Sequence, residues 1–418
     1  MTEVEVEPPY AAAVASGQLD LFSEEIRANP HPLYHWLRAN EPVFPSPFDP
    51  GTFILTRYAD CEAVLRDVRW SSNPVHRPLP QGVDPTQLDM RTMLTFTPAN
   101  VLLFLDPPDH TRLRKLVSKA FTPRRVEALR PHIQEIVDGI LDDAANRGEL
   151  DVVSDLGYTL PVTVICELMG VPLSDRDLFG PWSSDASRLL DGVLDAEVMQ
   201  AGVVGVMNIV SYFNDLFEER RKNPGDDLVS ALLAAEEEGD MLSEEELRSI
   251  TLLLFIAGHE TTMNLIGNGM KALLEHRDQL DRLVSDPALV PSAVEELLRF
   301  DGPVHLTGRI ATQDLEVGGR TFRAGEQVIT LLAAANRDPA RFTGPDRLDV
   351  GRADNHHLTF SHGIHYCLGA SLARVEGQVA IGSLVRRFPD MELITTQPIY
   401  RDHFVLRGLR ELRVAVRS

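Results

Sequence analysis

The segment F-S-H-G-I-H-Y-C-L-G-A-S-L-A-R, residues 360 to 374, carries most of the information about the fold and chemistry of this 418-residue chain. Cys367 lies near its centre. A thiolate in apolar surroundings needs a strong positive partner to stay ionised, and a bound metal deprotonates a thiol outright. Gly363 and Gly369 flank the cysteine, and glycine lets a backbone loop turn tightly and come close to a large flat ligand. The segment therefore predicts a metal-bound thiolate.

The spacing of the residues around Cys367 distinguishes it from the other cysteines. An isolated cysteine in an apolar context is usually a small buried hydrophobic residue, and Cys61 and Cys166 fit that interpretation. Cys367 differs because four residues stand at fixed offsets from it, namely Phe360, Gly363, His365 and Gly369. With 17 Phe, 28 Gly, 13 His and 3 Cys in the chain, chance gives this five-point pattern in roughly one chain in 10⁵.

This pattern resembles the heme-binding loop of the cytochrome P-450 family, F-x-x-G-x-H-x-C-x-G. The resemblance implies a mainly α chain with small β-sheets, the cytochrome P-450 fold, over nearly the whole length. It implies heme b as the cofactor, with an iron–thiolate bond that favours cleavage of the O–O bond of bound oxygen. Ser361 departs from the commonest form of the loop, which has glycine after the phenylalanine. The residues of the loop that are then predicted to bind the cofactor are Phe360, Gly363, His365, Gly369 and the metal ligand Cys367.

Composition and charge restrict the class of protein. The net charge of −22 argues against nucleic acid or an anionic membrane as the main partner. Uninterrupted apolar runs, such as L-L-L-F-I-A-G at 252 to 258, fall far short of a membrane span, and the N-terminus M-T-E-V-E-V-E lacks the regions of a signal peptide. Three cysteines provide no disulfide framework, so we predict a cytoplasmic protein. We predict a flexible tail at residues 1–18 and a single heme domain at residues 19–418.

Helical patterns dominate the rest of the chain. Ser243 and Glu246 form an S-x-x-E capping box, which predicts a helix that runs to about Glu275. Thr122 with Pro123 predicts a helix with apolar residues at helical spacing as far as 140, and another is predicted from 286 to 299. Strand signals are fewer. They predict a two-residue hairpin at 315 to 322 and short strands near 42 to 56 and 404 to 416.

The motif A-G-H-E-T-T, residues 257 to 262, places an acid beside a hydroxyl within the long helix. Glu and Thr in mid-helix commonly face solvent. Here residues 252 to 257 are wholly apolar, so we expect burial, and a buried carboxylate is costly without a partner or a function. The resemblance implies an oxygen-binding notch at Ala257 and Gly258, with Thr261 positioning water and oxygen and Glu260 replenishing protons as the catalytic pair. His259 is interpreted as structural.

Four cations are candidates for binding the two heme carboxylates, which would be costly to bury without partners. His110 and Arg114 stand four residues apart and share one helix face. Arg309 follows the helix predicted at 286 to 299, and His365 precedes the thiolate by two residues. Each alone could be an ordinary surface cation. The resemblance implies that each contacts a heme propionate.

Glu296 and Arg299 stand three residues apart in E-E-L-L-R. This spacing usually gives only a weak, exposed ion pair. The resemblance implies instead a buried pair with a structural role, tied to an arginine in the segment before the heme loop. Residues 335 to 342 and Arg352 supply the candidates for that arginine.

The chain contains no sequence signal for an internal source of electrons. Neither a G-x-G-x-x-G fingerprint nor a cysteine set for an iron–sulfur cluster is present. A run of cations is usually only a solvated face, yet here it lies in a chain of net charge −22. We therefore expect NAD(P)H to act indirectly, through a ferredoxin reductase and an acidic ferredoxin that docks on this basic segment. Its cations, with no acid between 110 and 126, are Arg112, Arg114, Lys115, Lys119, Arg124 and Arg125.

Together these features predict a heme-thiolate monooxygenase that inserts one atom of O2 into a small apolar substrate such as a macrolide, steroid or terpenoid. Two alternatives stay open. One is a peroxide-using or non-oxygenating member of the same family, against which the Glu260–Thr261 pair argues. The other is a heme-binding sensor without turnover. The resemblance places the substrate pocket at residues 71–103, 170–210 and 399–404, and also at Leu253, Ile256, Ala257, Val304 and His305.

Overall fold

The computed structural model describes residues 10, 13, 19, 21, 23–47, 49–78, 101–118, 121–191, 195–237 and 240–417. Most of the predicted tail at 1–18 and residues 79–100 of the predicted pocket loop lie outside this range. The helices within it are α1 (Glu24–Ala28), α2 (His31–Asn40), α3 (Tyr58–Arg66), α4 (Asp109–Ser118), α5 (Pro123–Ala128), α6 (Arg130–Arg147), α7 (Thr159–Met169), α8 (Arg176–Ser187), α9 (Ala196–Lys222), α10 (Leu228–Leu233), α11 (Glu244–Glu275), α12 (Arg277–Ser285), α13 (Val290–Asp301), α14 (Leu332–Ala335) and α15 (Ala370–Arg387). A π-helix spans Val152–Tyr158, and short 3-10 helices lie at Pro74–His76, Leu102–Phe104, Leu173–Asp175, Arg188–Asp191, Pro287–Leu289 and Gly363–His365.

The strands are short and form small sheets. They are β1 (Val43–Pro45), β2 (Thr52–Leu55), β3 (Trp70–Ser71), β4 (Glu149–Asp151), β5 (Glu236–Glu237), β6 (Asp240–Met241), β7 (Thr307–Ala311), β8 (Leu315–Val317), β9 (Arg320–Phe322), β10 (Gln327–Thr330), β11 (Glu392–Leu393) and β12 (Arg413–Ala415). The largest sheet has the order β1-β2-β10-β7-β3, in which only β2 and β10 run parallel. The remaining sheets are β11-β12-β4, β5-β6 and the hairpin β8-β9. Gly318 and Gly319 turn that predicted hairpin with φ of 62° and 77°, as a two-residue turn requires.

Helix α11 connects the two largest core clusters of the fold. Ser243 accepts a hydrogen bond from the Glu246 N–H, and the Glu246 carboxylate accepts one from the Ser243 N–H, which confirms the capping box. The helix packs against α7, α9, α13, α15 and the π-helix. Its first half, with Phe255, contributes to one cluster, and its second half, from Met263 onward, contributes to the other. The A-G-H-E-T-T motif therefore lies between the two cores.

Three helical segments are long and apolar enough, by length and composition alone, to cross a membrane: Val152–Met169, α9 and α11. The apolar windows of the first and third are 67% and 61% buried inside the protein, so these segments supply core packing. The window in α9 is only 22% buried, and its Val204 and Met207 are exposed. The sequence prediction did not identify these segments, because scattered polar residues interrupt their apolar runs while the mean hydropathy stays high. That a membrane is not the main partner of this protein stays a prediction.

Three predicted elements differ in detail from the structure. The helix predicted from Thr122 to 140 is divided into α5 and α6, and Pro131 lies in the first turn of α6. Proline lacks the N–H that a continuing helix needs, so it suits a helix start and not its interior. In the region 404 to 416 the only described strand is β12. The helix predicted from 286 begins with the 3-10 turn Pro287–Leu289 and continues as α13.

Candidate heme and oxygen site

The heme-loop segment turns through a short 3-10 helix before it reaches Cys367. The Cys367 N–H donates to the Phe360 carbonyl at 2.9 Å, which closes the loop. Gly363 has φ of 68°, and a Cβ atom at this position would collide with the carbonyl of Leu65. A side chain is therefore excluded by both backbone conformation and space. The glycine spacing in the sequence follows directly from this close approach of α3.

Cys367 is exposed to solvent as a residue, although protein atoms surround its sulfur closely. Burial raises the pKa of this thiol, and four groups oppose that effect: the Gly369 N–H first, then Arg114 and Arg374, and then the Ala370 N–H. Gly369 and Ala370 form the N-terminus of α15. A helix N-terminus carries partial positive charge and favours a thiolate. The loop therefore surrounds the sulfur with the donors and charges that a thiolate ligand requires.

Ser361 occupies the position in which the heme-loop pattern most often has glycine. It is the only non-glycine residue with positive φ in the described part of the chain, at 61°. An L-residue in this region costs about 1–2 kcal/mol. The Ser361 hydroxyl is also buried without a hydrogen-bond partner among the described residues. The departure from the pattern therefore leaves local strain at the start of the loop.

We expect Ser361→Gly to stabilise the holoprotein by about 1 kcal/mol. The gain from removing the Cβ atom that strains the left-handed conformation exceeds the roughly 0.4–1 kcal/mol lost through the freer unfolded chain. Urea unfolding followed by heme absorbance measures the change. Ser361→Ala is the matched control because it removes the hydroxyl and retains the backbone conformation. A Ser361→Gly protein no more stable than Ser361→Ala contradicts the assigned strain.

The four predicted cations converge beside the loop. The rings of His110 and His365 lie with centroids 4.4 Å apart. Arg114 donates from Nη2 to the Tyr366 carbonyl at 2.5 Å. Burial, followed by the charges of Arg309, His110 and Arg114, lowers the pKa of His365 to about 3. Burial likewise lowers the pKa of Arg309 to about 10, opposed by a nearby carboxylate. These four side chains form one group, in which the two arginines carry the positive charge and the lowered pKa values of His110 and His365 favour neutral imidazoles.

This group fits a ligand that carries carboxylates. Both ring nitrogens of His110 and Nε2 of His365 are buried without a hydrogen-bond partner among the described residues. Unpaired buried donors cost free energy, and a pair of anionic oxygens would satisfy them. The donor set therefore suits the propionates of heme b, beside a thiol suited to its iron.

On α11, the predicted catalytic pair occupies two different sides of the helix. The Thr261 hydroxyl donates to the Ala257 carbonyl at 3.0 Å, and Ala257 is exposed. Glu260 is 2% exposed, and neither of its carboxylate oxygens has a hydrogen-bond partner among the described residues. Successive helical residues point about 100° apart, so the acid faces packed protein while the hydroxyl faces an accessible side. His259 is buried with its ring 2.9 Å from the Ser183 hydroxyl, which fits a structural role.

Comparisons with known proteins agree with this geometry. A family model described as Cytochrome P450 matches residues 196–408. A vitamin D(3) 25-hydroxylase from Pseudonocardia autotrophica is 45% identical over 404 residues, 96% of each chain. The chain belongs to the cytochrome P450 family. A 6-deoxyerythronolide B hydroxylase from Saccharopolyspora erythraea is 40% identical over 400 residues, covering 94% of this chain and 98% of that one.

Solved structures of cytochrome P450 proteins share the fold. One is P450BioI in complex with an acyl carrier protein ligated to hexadec-9Z-enoic acid, with a TM-score of 0.86 and 39% identity. The alignment covers 94% of this chain and 99% of that one. The predicted family, the mainly α fold with small sheets, the monooxygenase class and the heme b cofactor are thereby confirmed.

The P450 structural pair on α13 is fully buried. Glu296 and Arg299 are 0% exposed and joined by hydrogen bonds of 2.7 and 2.8 Å. Arg352 donates from Nε to the same carboxylate at 2.9 Å, so it is the third member among the predicted candidates. Arg299 also donates to the carbonyls of Asn336 and Pro345. Removing one partner from such a buried pair typically costs about 3–5 kcal/mol, which fits a structural role.

The predicted pocket residues divide between two places. Leu253 and Ile256 are half-buried and pack against the same hydrophobic cluster as Leu368, the residue after Cys367. These two predicted pocket residues and the heme loop therefore meet in one cluster. Val304 packs against a different cluster and forms an isolated β-bridge with Leu406.

His305 lies apart from Leu253 and Ile256. Its Nδ1 is 3.3 Å from the Tyr34 hydroxyl on α2, and its ring is buried. Burial, followed by the charge of Arg407, lowers the pKa of His305 to about 3. A contact with substrate stays a prediction for this residue.

The cations of the basic segment are not all available at the surface for a partner. Arg112 forms an ion pair with Glu246 at the start of α11, and Lys119 lies outside the described residues. Arg124 and Arg125 are exposed on α5, which packs against α15, the helix that follows Cys367. The exposed cations therefore lie on an element in contact with the thiolate side of the fold.

Sequence reasoning missed two residues beside Glu260. Nη1 of Arg401 lies 3.7 Å and Nε2 of His403 lies 3.8 Å from Oε1 of Glu260. The interpretation of 399–404 as pocket wall named neither residue as a partner of the acid. No spacing or local motif relates the C-terminal loop to α11, because the contact arises only from tertiary packing.

Proposed function

We propose that this enzyme hydroxylates or epoxidises a small apolar secondary metabolite, such as a macrolide, steroid or terpenoid. One oxygen atom comes from O2, and electrons come from NAD(P)H through a ferredoxin reductase and a ferredoxin. The observation that carries the proposal is the pair on α11. Glu260 is buried and its carboxylate has no hydrogen-bond partner in the described part of the chain, and the hydroxyl of the adjacent Thr261 donates to the Ala257 carbonyl. A buried acid without hydrogen bonds is costly, and proton delivery supplies a function for it.

Cys367 would hold heme b through its sulfur; the heme would supply the iron for oxygen chemistry, and the Cys367 thiolate would favour O–O cleavage. The protein residues surround the sulfur with groups that favour its ionised form, and they move protons. The N–H groups of Gly369 and Ala370 and the charges of Arg114 and Arg374 oppose the burial that raises the pKa of the Cys367 thiol. The Thr261 hydroxyl, which donates to the Ala257 carbonyl, offers its oxygen on the accessible side of α11 to accept a hydrogen bond and orient water. Glu260 is the adjacent ionisable group that supplies protons to this water from within the protein.

An apolar substrate is supported by the character of the predicted pocket. Leu253 and Ile256 precede Ala257 on α11, and both belong to the edge of an apolar cluster. Apolar walls bind a ligand mainly by excluding water. Two relatives are named for vitamin D(3) and 6-deoxyerythronolide B as substrates. These names support a sterol-like or macrolide-like substrate for this chain, and a cytoplasmic location is part of the same proposal.

Reconstitution with a ferredoxin, its reductase, NADPH and ¹⁸O2 tests the proposed function. A panel of steroids and macrolactones is first screened by optical difference spectra, and binders are then assayed for product. We expect one ¹⁸O atom in the product and a requirement for the ferredoxin. Product formed with hydrogen peroxide alone and not with the reductase system would indicate a peroxide-using enzyme. Binding without product in either system would indicate a sensor.

Charge-reversal variants within the same assay test the docking surface. Arg125→Glu is expected to slow ferredoxin-dependent reduction about fivefold to tenfold at low salt. Reversing one charge raises the free energy of the complex with an acidic ferredoxin by about 1 kcal/mol. Residue 125 is the third residue of α5 after the Thr122 cap, so glutamate there completes a capping box and preserves the helix. Arg112→Glu is unsuitable, since it would place a second carboxylate beside Glu246. Arg323→Glu, an exposed arginine on a sheet connection, is the control, and equal reduction rates in the two variants contradict docking at α5.

A further inference from the structure

The carboxylate of Glu260 borders a cavity of about 420 Å³ behind α11. Arg401 lines the same cavity, together with Tyr158, Asp177 and Ser184. This volume accommodates several water molecules among polar partners, and Asp177 is exposed to solvent. Protons from solvent can therefore reach the side of Glu260 that faces away from Thr261.

The contacts of Glu260 hold it by charge without fixing its orientation. The distances of 3.7 Å to Arg401 and 3.8 Å to His403 exceed hydrogen-bond length but lie within ion-pair range. Arg401 itself donates to the Leu409 carbonyl at 3.2 Å, so its guanidinium is fixed by the loop. A carboxylate in this setting can rotate about its side-chain bonds while it keeps its charged neighbours. That freedom suits a group that collects a proton on one side and releases it on the other.

The loop that carries these two residues is held by Asp191. Oδ1 of Asp191 accepts hydrogen bonds from the backbone N–H groups of Phe404 at 3.0 Å and Val405 at 2.9 Å. Its Oδ2 lies 3.3 Å from Nδ1 of His403. Asp191 ends the 3-10 helix that follows α8, in the region that the sequence assigns to the substrate pocket. A second ion pair, between Arg188 and Asp402 at 3.5 Å, joins the same two segments.

We propose that Asp191, His403 and Arg401 are positioning residues for Glu260, and that they link the pocket segment before α9 to the proton supply of α11. Asp191 holds the loop through the Phe404 and Val405 N–H groups and lies within ion-pair distance of the His403 ring, and His403 and Arg401 flank the Glu260 carboxylate. This role rests on the proposed function, because it requires Glu260 to transfer protons. Among the described residues, the other ionisable groups near Glu260 are His259 on α11 and Asp177 and Tyr158 across the cavity, with Arg410 and Asp151 near Arg401.

His403→Gln and Asp191→Asn test the positioning role in the reconstituted holoenzyme. We expect each variant to lower oxygen-dependent turnover about tenfold and to increase the solvent deuterium isotope effect. The dissociation constant for substrate, measured by difference spectra, should stay unchanged. In the Glu260→Gln background, neither substitution should lower turnover further, because the residue through which they act is already lost. Additive losses in the double variants contradict the positioning role.

The control is His132→Gln, which removes a histidine paired with Glu167 at 2.6 Å on the protein surface. It should leave product yield unchanged. Urea unfolding gives a readout independent of activity: His403→Gln should cost less stability in the Glu260→Gln background than in the wild type. If the His403 and Asp191 variants turn over at the wild-type rate while Glu260→Gln is slowed, the positioning role is wrong and the proposed function stands. If Glu260→Gln also turns over at the wild-type rate, the proposed function fails.

Discussion

Thr261→Ala is expected to keep consuming NADPH while it releases hydrogen peroxide instead of oxygenated product. The substitution removes the one hydroxyl that the structure places against the Ala257 carbonyl on the accessible side of α11. Without it, protons reach oxygen through unpositioned water and the reaction ends before oxygen is inserted. Heme content and substrate binding should change little, because the hydroxyl ligates no metal. NADPH consumption, peroxide and product measured in parallel give the coupling directly.

Glu260→Gln should have a different result. The amide preserves the shape of the side chain but carries no ionisable proton, so proton delivery becomes limiting. Oxygen-dependent turnover is expected to fall about 10²- to 10⁴-fold, the range for loss of a general acid or base. Thr251→Ala provides the matched control, since Thr251 is a buried threonine on the same helix whose hydroxyl has no partner among the described residues. Full coupling in Thr261→Ala, with normal turnover in Glu260→Gln, would contradict the proton-transfer roles of both residues.

Local sequence signals predicted the elements that depend on local chemistry. The capping box at Ser243 and Glu246 and the hairpin at Gly318 and Gly319 formed as expected, because each rests on backbone groups a few residues apart. The spacing around Cys367 predicted a tight loop for the same reason. Pro131 could have predicted the division of the helix after Thr122. The apolar periodicity continues across that proline, so the sequence pattern favoured a single helix.

Contacts between segments that are distant in the chain could not be predicted from the sequence. The resemblance predicted that Glu296 would meet a distant arginine, but only the packing identifies Arg352 as that partner. Arg401 and His403 carried no signal at all, since neither forms a motif with Glu260. Ion pairs of this kind are set by how a loop lies on a helix, and no spacing rule in the chain encodes that arrangement.

Replacing Cys367 should have the largest effect on the cofactor. The Cys367 sulfur is surrounded by Arg114, Arg374 and the N-terminus of α15, all of which favour a negative charge there. Histidine at this position offers a neutral nitrogen ligand, and alanine offers none. We expect both variants to lose oxygen activation, because a neutral or absent ligand no longer donates the electron density that favours O–O cleavage. Cys166→Ala is the control: Cys166 is buried in a hydrophobic cluster, and burial raises the pKa of its thiol to about 12.

The absorption spectrum of the reduced protein under carbon monoxide tests thiolate ligation most directly. The wild type and Cys166→Ala are expected to show the strongly red-shifted Soret band of a heme–thiolate complex, whereas Cys367→His and Cys367→Ala should lack it. A red-shifted band that persists in Cys367→Ala would contradict the assignment of Cys367 as the iron ligand.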